Sequence, residues 1–195
     1  MRVWVAGCAT GEEAYTMAML LCEHAETLRD APYIQVFATD IDEQAIVKAR
    51  EGLYTLNDAA DVSPRRLAEF FVKEQHGYRV RKEIRELVLF ARHNVIKDPP
   101  FSRLDLVSCR NVLIYLNRAA QERVMNILHF ALKPGGFLFL GNSESVDGSG
   151  DMFMAVDKEA HVYQSRAPSG PTPVYLSELK DRPCKECPHH SASFL

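Results

Sequence analysis

The chain has 195 residues, enough for one domain with a full hydrophobic core and an appendage. Hydrophobic residues make up 47% and charged residues 25%, as in an ordinary soluble globular protein, and the formal charge of −3 gives no electrostatic case for a nucleic-acid partner. No apolar run is long enough to cross a bilayer and no signal-peptide pattern is visible, so no direct membrane insertion is expected.

Cysteine usage points the same way. Cys8, Cys22, Cys109, Cys184 and Cys187 are odd in number and irregular in spacing, which argues against a secreted disulfide framework. The first three fall in predicted core elements, where cysteine packs as a small hydrophobe. A reduced, cytoplasmic setting is expected.

In chain order, strands are predicted at Val3–Ala6, Ile34–Thr39, Leu87–Ala91, Asp105–Cys109 and Phe137–Gly141. Each is short, apolar and not alternating, the pattern of strands covered on both faces. Between the first two, Ala14, Met17, Ala18, Leu21, Ala25 and Leu28 form one apolar stripe at helical spacing. A shorter helix with Ala45, Ile46 and Ala49 is predicted to open near Asp42 and close at Gly52. Residues 54–86 interrupt the rhythm. Ser63-Pro64 opens an amphipathic helix carrying Leu67, Phe70 and Phe71, and Val72–Lys82 reads as a hairpin turning at His76-Gly77. After Asn117, a predicted N-cap, Val124, Ile127, Leu128 and Ala131 mark another helix, predicted to stop at Lys133-Pro134-Gly135-Gly136. Met152–Val156 and His161–Gln164 read as a closing antiparallel hairpin with its turn at Asp157-Lys158. From residue 167 to 195, prolines and serines replace apolar periodicity, and a linker or disordered tail is expected.

Alternating strands and helices predict an α/β fold with a mostly parallel sheet. Ligands of such sheets sit at the carboxyl ends of the strands, where the strand order reverses. The first loop to inspect is Gly7-Cys8-Ala9-Thr10-Gly11, followed by Glu12 and Glu13. Its glycines permit close backbone approach, but the spacing departs from the dinucleotide fingerprint and the two glutamates would repel a pyrophosphate. They suit either the helix dipole or a ligand that carries positive charge. The second loop holds Asp40, Ile41 and Asp42. Asp40 ends the second strand, where a carboxylate accepts ribose hydroxyls; helix capping is the alternative for both aspartates. In the third, Asp105–Cys109 runs into Arg110-Asn111 and then Tyr115. Arginine there pairs with a carboxylate, either of a ligand or of a structural ion pair; Tyr115 offers a hydroxyl or simply packs. Together these loops specify a nucleoside without phosphates, and S-adenosylmethionine has the matching chemistry. Cys184-x-x-Cys187 with His189 and His190 is too crowded for a closed tetrahedral zinc site, and no metal is expected.

Four segments occur in one order: Gly7-Cys-Ala-Thr-Gly-Glu-Glu-Ala-Tyr15, Ala38-Thr-Asp-Ile-Asp42, Cys109-Arg-Asn-Val-Leu-Ile-Tyr115 and Lys133-Pro-Gly-Gly-Phe-Leu-Phe-Leu-Gly-Asn-Ser-Glu144. Over residues 2–166 the chain resembles the methyltransferase domain of CheR, the bacterial chemoreceptor glutamate O-methyltransferase, and Asp98–Asp105 resembles CheR modules of CheB–CheR fusion proteins. The resemblance implies a Rossmann-like class I S-adenosylmethionine-dependent methyltransferase fold, a seven-stranded sheet with a small antiparallel β-subdomain inserted at 54–86. It implies that Ala6, Gly7 and Thr10 shape the cofactor loop. Glu13 then contacts the amino-acid part of the cofactor, Asp40 with Ile41 the ribose side, and Asn94-Val95 lies beside the adenine. Cys109-Arg110 lines the cofactor, and Tyr115 stands near the transferable methyl, so that Tyr115 and Arg110 are the candidate catalytic residues. The implied partners are methyl-accepting chemoreceptor helices, with the inserted subdomain used for docking. Its hairpin is shorter than in members that grip a receptor's C-terminal pentapeptide. CheR proteins also carry an N-terminal helical domain, whereas this sequence opens directly at the first strand, so a module of a larger protein is expected. The rival expectation is a non-catalytic cofactor-sensing or scaffolding module. A nicotinamide-dependent oxidoreductase would need the glycine fingerprint that is lacking.

Overall fold

The computed structural model of the chain describes residues 1–146 and 151–167. The first half of the main sheet is built from β1 (Arg2–Ala6), α1 (Glu12–Ala25), β2 (Gln35–Asp40) and α2 (Glu43–Glu51). Then comes the insertion: β3 (Leu53–Tyr54), α3 (Pro64–Phe70), β4 (Phe71–Glu74), β5 (Gly77–Val80) and α4 (Lys82–Arg85). The chain returns to the main sheet with β6 (Val88–Arg92), β7 (Leu104–Cys109), α5 (Arg118–Ala131), β8 (Leu132–Leu140), β9 (Phe153–Asp157) and β10 (Val162–Ser165).

The main sheet has seven strands in the order β6-β2-β1-β7-β8-β10-β9, and the small one three in the order β3-β5-β4. Strands β6, β2, β1, β7 and β8 are parallel, while β10 runs antiparallel to both β8 and β9. The order reverses at β1, with β2 on one side and β7 on the other. The loops leaving β1 and β7 therefore open a crevice at that point.

Both faces of the central strands are covered, which is why their sequences do not alternate. One face carries Val3, Val5, Val36 and Ala38 against Ala14, Tyr15 and Ala18 of α1 and Ile46 and Ala49 of α2. The other carries Trp4, Phe37, Val107 and Leu138 against Val124 and Leu128 of α5. Each fully buried valine or leucine contributes about 1.5–3 kcal/mol. The helix starts follow local chemistry: Asp42 accepts from the Gln44 and Ala45 amides, Asn117 from Ala120, and Ser63 caps α3 with Pro64 in its first turn.

Two expectations require correction. Helix α1 ends at Ala25, so Leu28 lies beyond it and is exposed; Tyr15 and Met19 join the buried stripe instead. The helix stops just before Lys133-Pro134-Gly135-Gly136, as expected, but the strand predicted from Phe137 begins at Leu132 and takes that segment in. α5 ends at Ala131 and the chain enters β8 at once, because Leu132 pairs with Leu104. The next pair is Leu106 with Phe137, so the residues between are accommodated as an irregularity of the strand, with Gly135 at φ 80°. Tertiary pairing carries the strand through residues that break the helix. Among the described residues no helix is long and apolar enough to cross a membrane. The reading of residues 168–195, including Cys184, Cys187, His189 and His190, lies outside the described residues.

Candidate functional site

Ala6 is the last, buried residue of β1, and the next two amides, of Gly7 and Cys8, both donate to the Thr39 carbonyl oxygen at 2.8 and 2.9 Å. The loop is thereby tied to the end of β2. Gly7 adopts φ 75°, and a Cβ there would stand 2.3 Å from Val112 Cγ2, so only glycine lets the loops after β1 and β7 touch. Ala9 is also left-handed, at φ 45°, and its amide donates to Asp40 Oδ2 at 2.8 Å. Thr10 donates its hydroxyl to Glu12 Oε1 at 2.6 Å. Burial, followed by the nearby Asp40 carboxylate, pushes the Cys8 thiol up to about 12, so it stays protonated and inert.

Asp40 uses its other oxygen, Oδ1, to accept from the Asp42 amide at 2.9 Å. It therefore organises the loops after both β1 and β2 while each oxygen keeps acceptor capacity. Asp42 is a helix cap. Ile41 beside it is 61% exposed, an apolar surface at the rim of the crevice. Asn94 follows β6 and folds back on its own turn: its Oδ1 accepts from the Ile96 and Lys97 amides and its amide donates to Asp98 Oδ2. Val95 is half-buried against the α5-side core. Asn94 and Val95 are thus fixed by their local turn.

The third loop brings two predicted residues together across the crevice. Arg110 Nη1 stands 3.3 Å from Glu13 Oε2, and the guanidinium lies 4.8 Å over the Phe139 ring. Its Nε is buried without a hydrogen-bond partner among the described residues. Glu13 Oε1 accepts a short hydrogen bond from the Ser108 hydroxyl. Cys109 is fully buried; desolvation, then the Glu144 and Glu13 carboxylates, push its thiol upward. It is a wall rather than a nucleophile. Tyr115 closes a short 3-10 turn, Leu113–Tyr115, and is 81% exposed.

Three important residues escaped the sequence reading. Ser108 is completely buried at the end of β7 and holds Glu13. Glu144 is only 4% exposed and its carboxylate accepts four backbone amides: Asn111 and Gly141 on Oε2, Val112 and Leu113 on Oε1. That one side chain fixes the segment between Arg110 and Tyr115, in which Asn111 has φ 57°. Tyr54, from β3, donates to the Thr10 carbonyl oxygen at 2.9 Å. Glu144 belongs to the Lys133–Glu144 segment singled out in the sequence, but nothing local marks its burial, and the other two have no local signal.

Residues 1–162 match the family model described as the CheR methyltransferase, SAM binding domain. Over 168 residues the chain is 44% identical to an uncharacterized 104.1 kDa protein of Rhodobacter capsulatus, covering 86% of this chain and 18% of that one. It is 36% identical over 174 residues to a putative methyltransferase, Cher3, of Pseudomonas putida, covering 84% and 62%. It is 38% identical over 154 residues to the chemotaxis protein methyltransferase of Salmonella typhimurium, covering 74% and 51%. The chain thus spans less than two thirds of the length of each of these relatives.

Proposed function

The chain belongs to the CheR methyltransferase family as an S-adenosylmethionine-binding domain, and from that premise we propose that it transfers a methyl group from S-adenosylmethionine to glutamate side chains of chemoreceptors, forming methyl esters in the cytoplasm. In this reading residues 1–166 are the methyltransferase domain, with 54–86 inserted. The observation that supports it most is the Glu13–Ser108–Arg110 constellation, which joins α1 to the end of β7 at the reversal of strand order.

The site's residues fit the cofactor. Glu12, Glu13 and Asp40 outnumber Arg110 at the rim, a surplus of negative charge that suits a ligand with ammonium and sulfonium groups and opposes a pyrophosphate. Ala6, Gly7 and Thr10 form the cradle, Asp40 accepts ribose hydroxyls on its remaining lone pairs, and Ile41, Asn94 and Val95 flank the base. Cys109 and Arg110 wall the remaining side. When bound, the cofactor supplies an electrophilic methyl group on a positively charged sulfur.

The chain's own residues have little proton chemistry to do. A glutamate side chain with a pKa of about 4.3 is already an anion at neutral pH, so no strong general base is needed. Arg110, whose side chain is partly exposed beside Glu13, attracts the acceptor carboxylate, and the exposed Tyr115 hydroxyl orients it. The product ester is neutral, so the acceptor loses one negative charge. Receptor-containing membranes incubated with methyl-labelled cofactor and the protein should gain base-labile label on glutamate; membranes that stay unlabelled while the cofactor binds would refute methyl transfer to receptors.

A further inference from the structure

Two polar side-chain ties run from the insertion to the β1–α1 unit. At the crevice end, Tyr54 donates its hydroxyl to the Thr10 carbonyl oxygen at 2.9 Å. At the far end, Arg66 on α3 makes a two-bond contact with Glu23 on α1, at 2.8 and 2.7 Å. Between these ties lies a cleft bounded by Thr16, Met19, Val62 and Phe71, while Phe70, Phe71, Val80 and Ile84 of the insertion pack into the same core as Tyr15, Ala18 and Met19 of α1.

The Tyr54 tie is built into the insertion. The side chain is 8% exposed and stands edge-on to Tyr15, 6.2 Å between ring centres. Tyr54 pairs with Tyr78 of β5. The neighbouring Gly77 lies so close to β3 that a Cβ would stand 1.9 Å from the Tyr54 carbonyl oxygen. The hairpin therefore grips the Tyr54 backbone, and burial holds its phenol well above the ordinary range, so the hydroxyl keeps its proton as a donor. The receiving carbonyl belongs to Thr10, between Ala9 at φ 45° and Gly11 at φ 94°. Without the hydroxyl, this left-handed loop gains conformations that a bound ligand must freeze out.

We infer that Tyr54 is a positioning residue for the cofactor loop: its hydroxyl fixes the Thr10 peptide and couples the order of the small sheet to cofactor affinity. The inference rests on the reading that this loop holds S-adenosylmethionine. By linkage, whatever steadies the small sheet tightens the cofactor, and the cofactor steadies the small sheet to the same degree.

The test is calorimetric titration of the full chain and its variants with S-adenosylhomocysteine, together with hydrogen exchange of the Cys8–Gly11 amides. Tyr54→Phe should weaken binding about threefold to tenfold and speed loop exchange, from the loss of one buried hydrogen bond. Arg66→Gln cuts the far tie and should leave affinity within about twofold. Tyr54→Phe binding as the parent does, with unchanged loop exchange, would overturn the coupling alone. Equal weakening by Arg66→Gln would overturn the positioning role of the Tyr54 hydroxyl, since any loosening of the insertion would then suffice. Absence of binding by the unaltered chain would instead sink the cofactor reading, and the coupling with it.

Discussion

The loops after β1 and β7 leave neighbouring strands and face one crevice, yet they are held in opposite ways. The β1 loop is tied along its length to the end of β2: Gly7 and Cys8 donate to Thr39, Ala9 to Asp40, and Thr10 receives Tyr54 from above. The β7 loop is pinned from beneath by the Glu144 carboxylate and by Gln121, which donates to the Leu113 and Leu116 carbonyl oxygens, while its outer residues Ile114 and Tyr115 are 47% and 81% exposed. A small cofactor has a fixed shape, and a loop wired in advance meets it with little ordering cost. A glutamate on another macromolecule arrives with its own surface, and an open, firmly based loop leaves room for it.

The harshest challenge to this contrast is Glu144→Gln. An amide nitrogen in place of either oxygen sets a donor against two backbone donors, and the variant should lose about 3 kcal/mol of stability in urea unfolding. Unchanged stability would mean that Glu144 is not the anchor. Asp40→Ala strikes the other loop. It removes the acceptor for Ala9 and Asp42 as well as the proposed ribose contact, and S-adenosylhomocysteine affinity measured by calorimetry should fall about tenfold to a hundredfold. Affinity equal to the parent's would remove Asp40 from the cofactor side.

Tyr115→Phe should separate the halves cleanly: methyl transfer to receptor membranes falling about tenfold through loss of orientation, with cofactor affinity within about twofold. A matching fall in affinity would erase the distinction between the loops. The smallest effect is expected at the opposite end of the strands, where Lys133 Nζ stands 2.7 Å from Asp105 Oδ1. Burial alone would raise the Asp105 carboxyl, but the Lys133 hydrogen bond and the Arg2 amide outweigh it and hold it below its ordinary value. Its contribution is present above the unfolded carboxylate pKa, about 3.9, and fades as pH falls through the lower folded value. Because both side chains are partly solvated, Lys133→Met should cost only about 0.5 kcal/mol at neutral pH. That difference should vanish in acid, and cofactor affinity should not change; a persistent gap at low pH would show that packing, not charge, is responsible.

What could be read from sequence was whatever depends on near neighbours. The apolar strand runs, the Asp42, Ser63 and Asn117 caps and the Gly52 stop are local choices, and they stand where the pattern put them. Glu13, Asp40 and Arg110 were singled out because strand ends in a parallel sheet face the ligand, and the fold does bring Glu13 to Arg110. Residues whose work depends on distant partners stayed hidden. Nothing near Ser108 announces Glu13, and nothing near Tyr54 announces Thr10. The start of β8 stayed hidden for the same reason: Lys133–Gly136 marked the end of the helix correctly, but Leu104, far back in sequence, draws Leu132 into the strand ahead of the predicted Phe137. Asn94 shows a subtler limit, since an amide side chain can cap its own turn as well as face a ligand, and composition does not distinguish the two.

The pairing of Glu13 with Ser108, 95 positions apart, has a consequence for how the chain is made. Such a contact exists only once β1 and β7 are side by side, with the whole insertion looped out between them. A ligand that needs both residues binds the finished fold and no earlier state. At a free concentration a hundred times its dissociation constant it would add about 2.7 kcal/mol to stability by mass action. The supply of methyl donor would then govern how much of this protein survives quality control, as well as how fast it works.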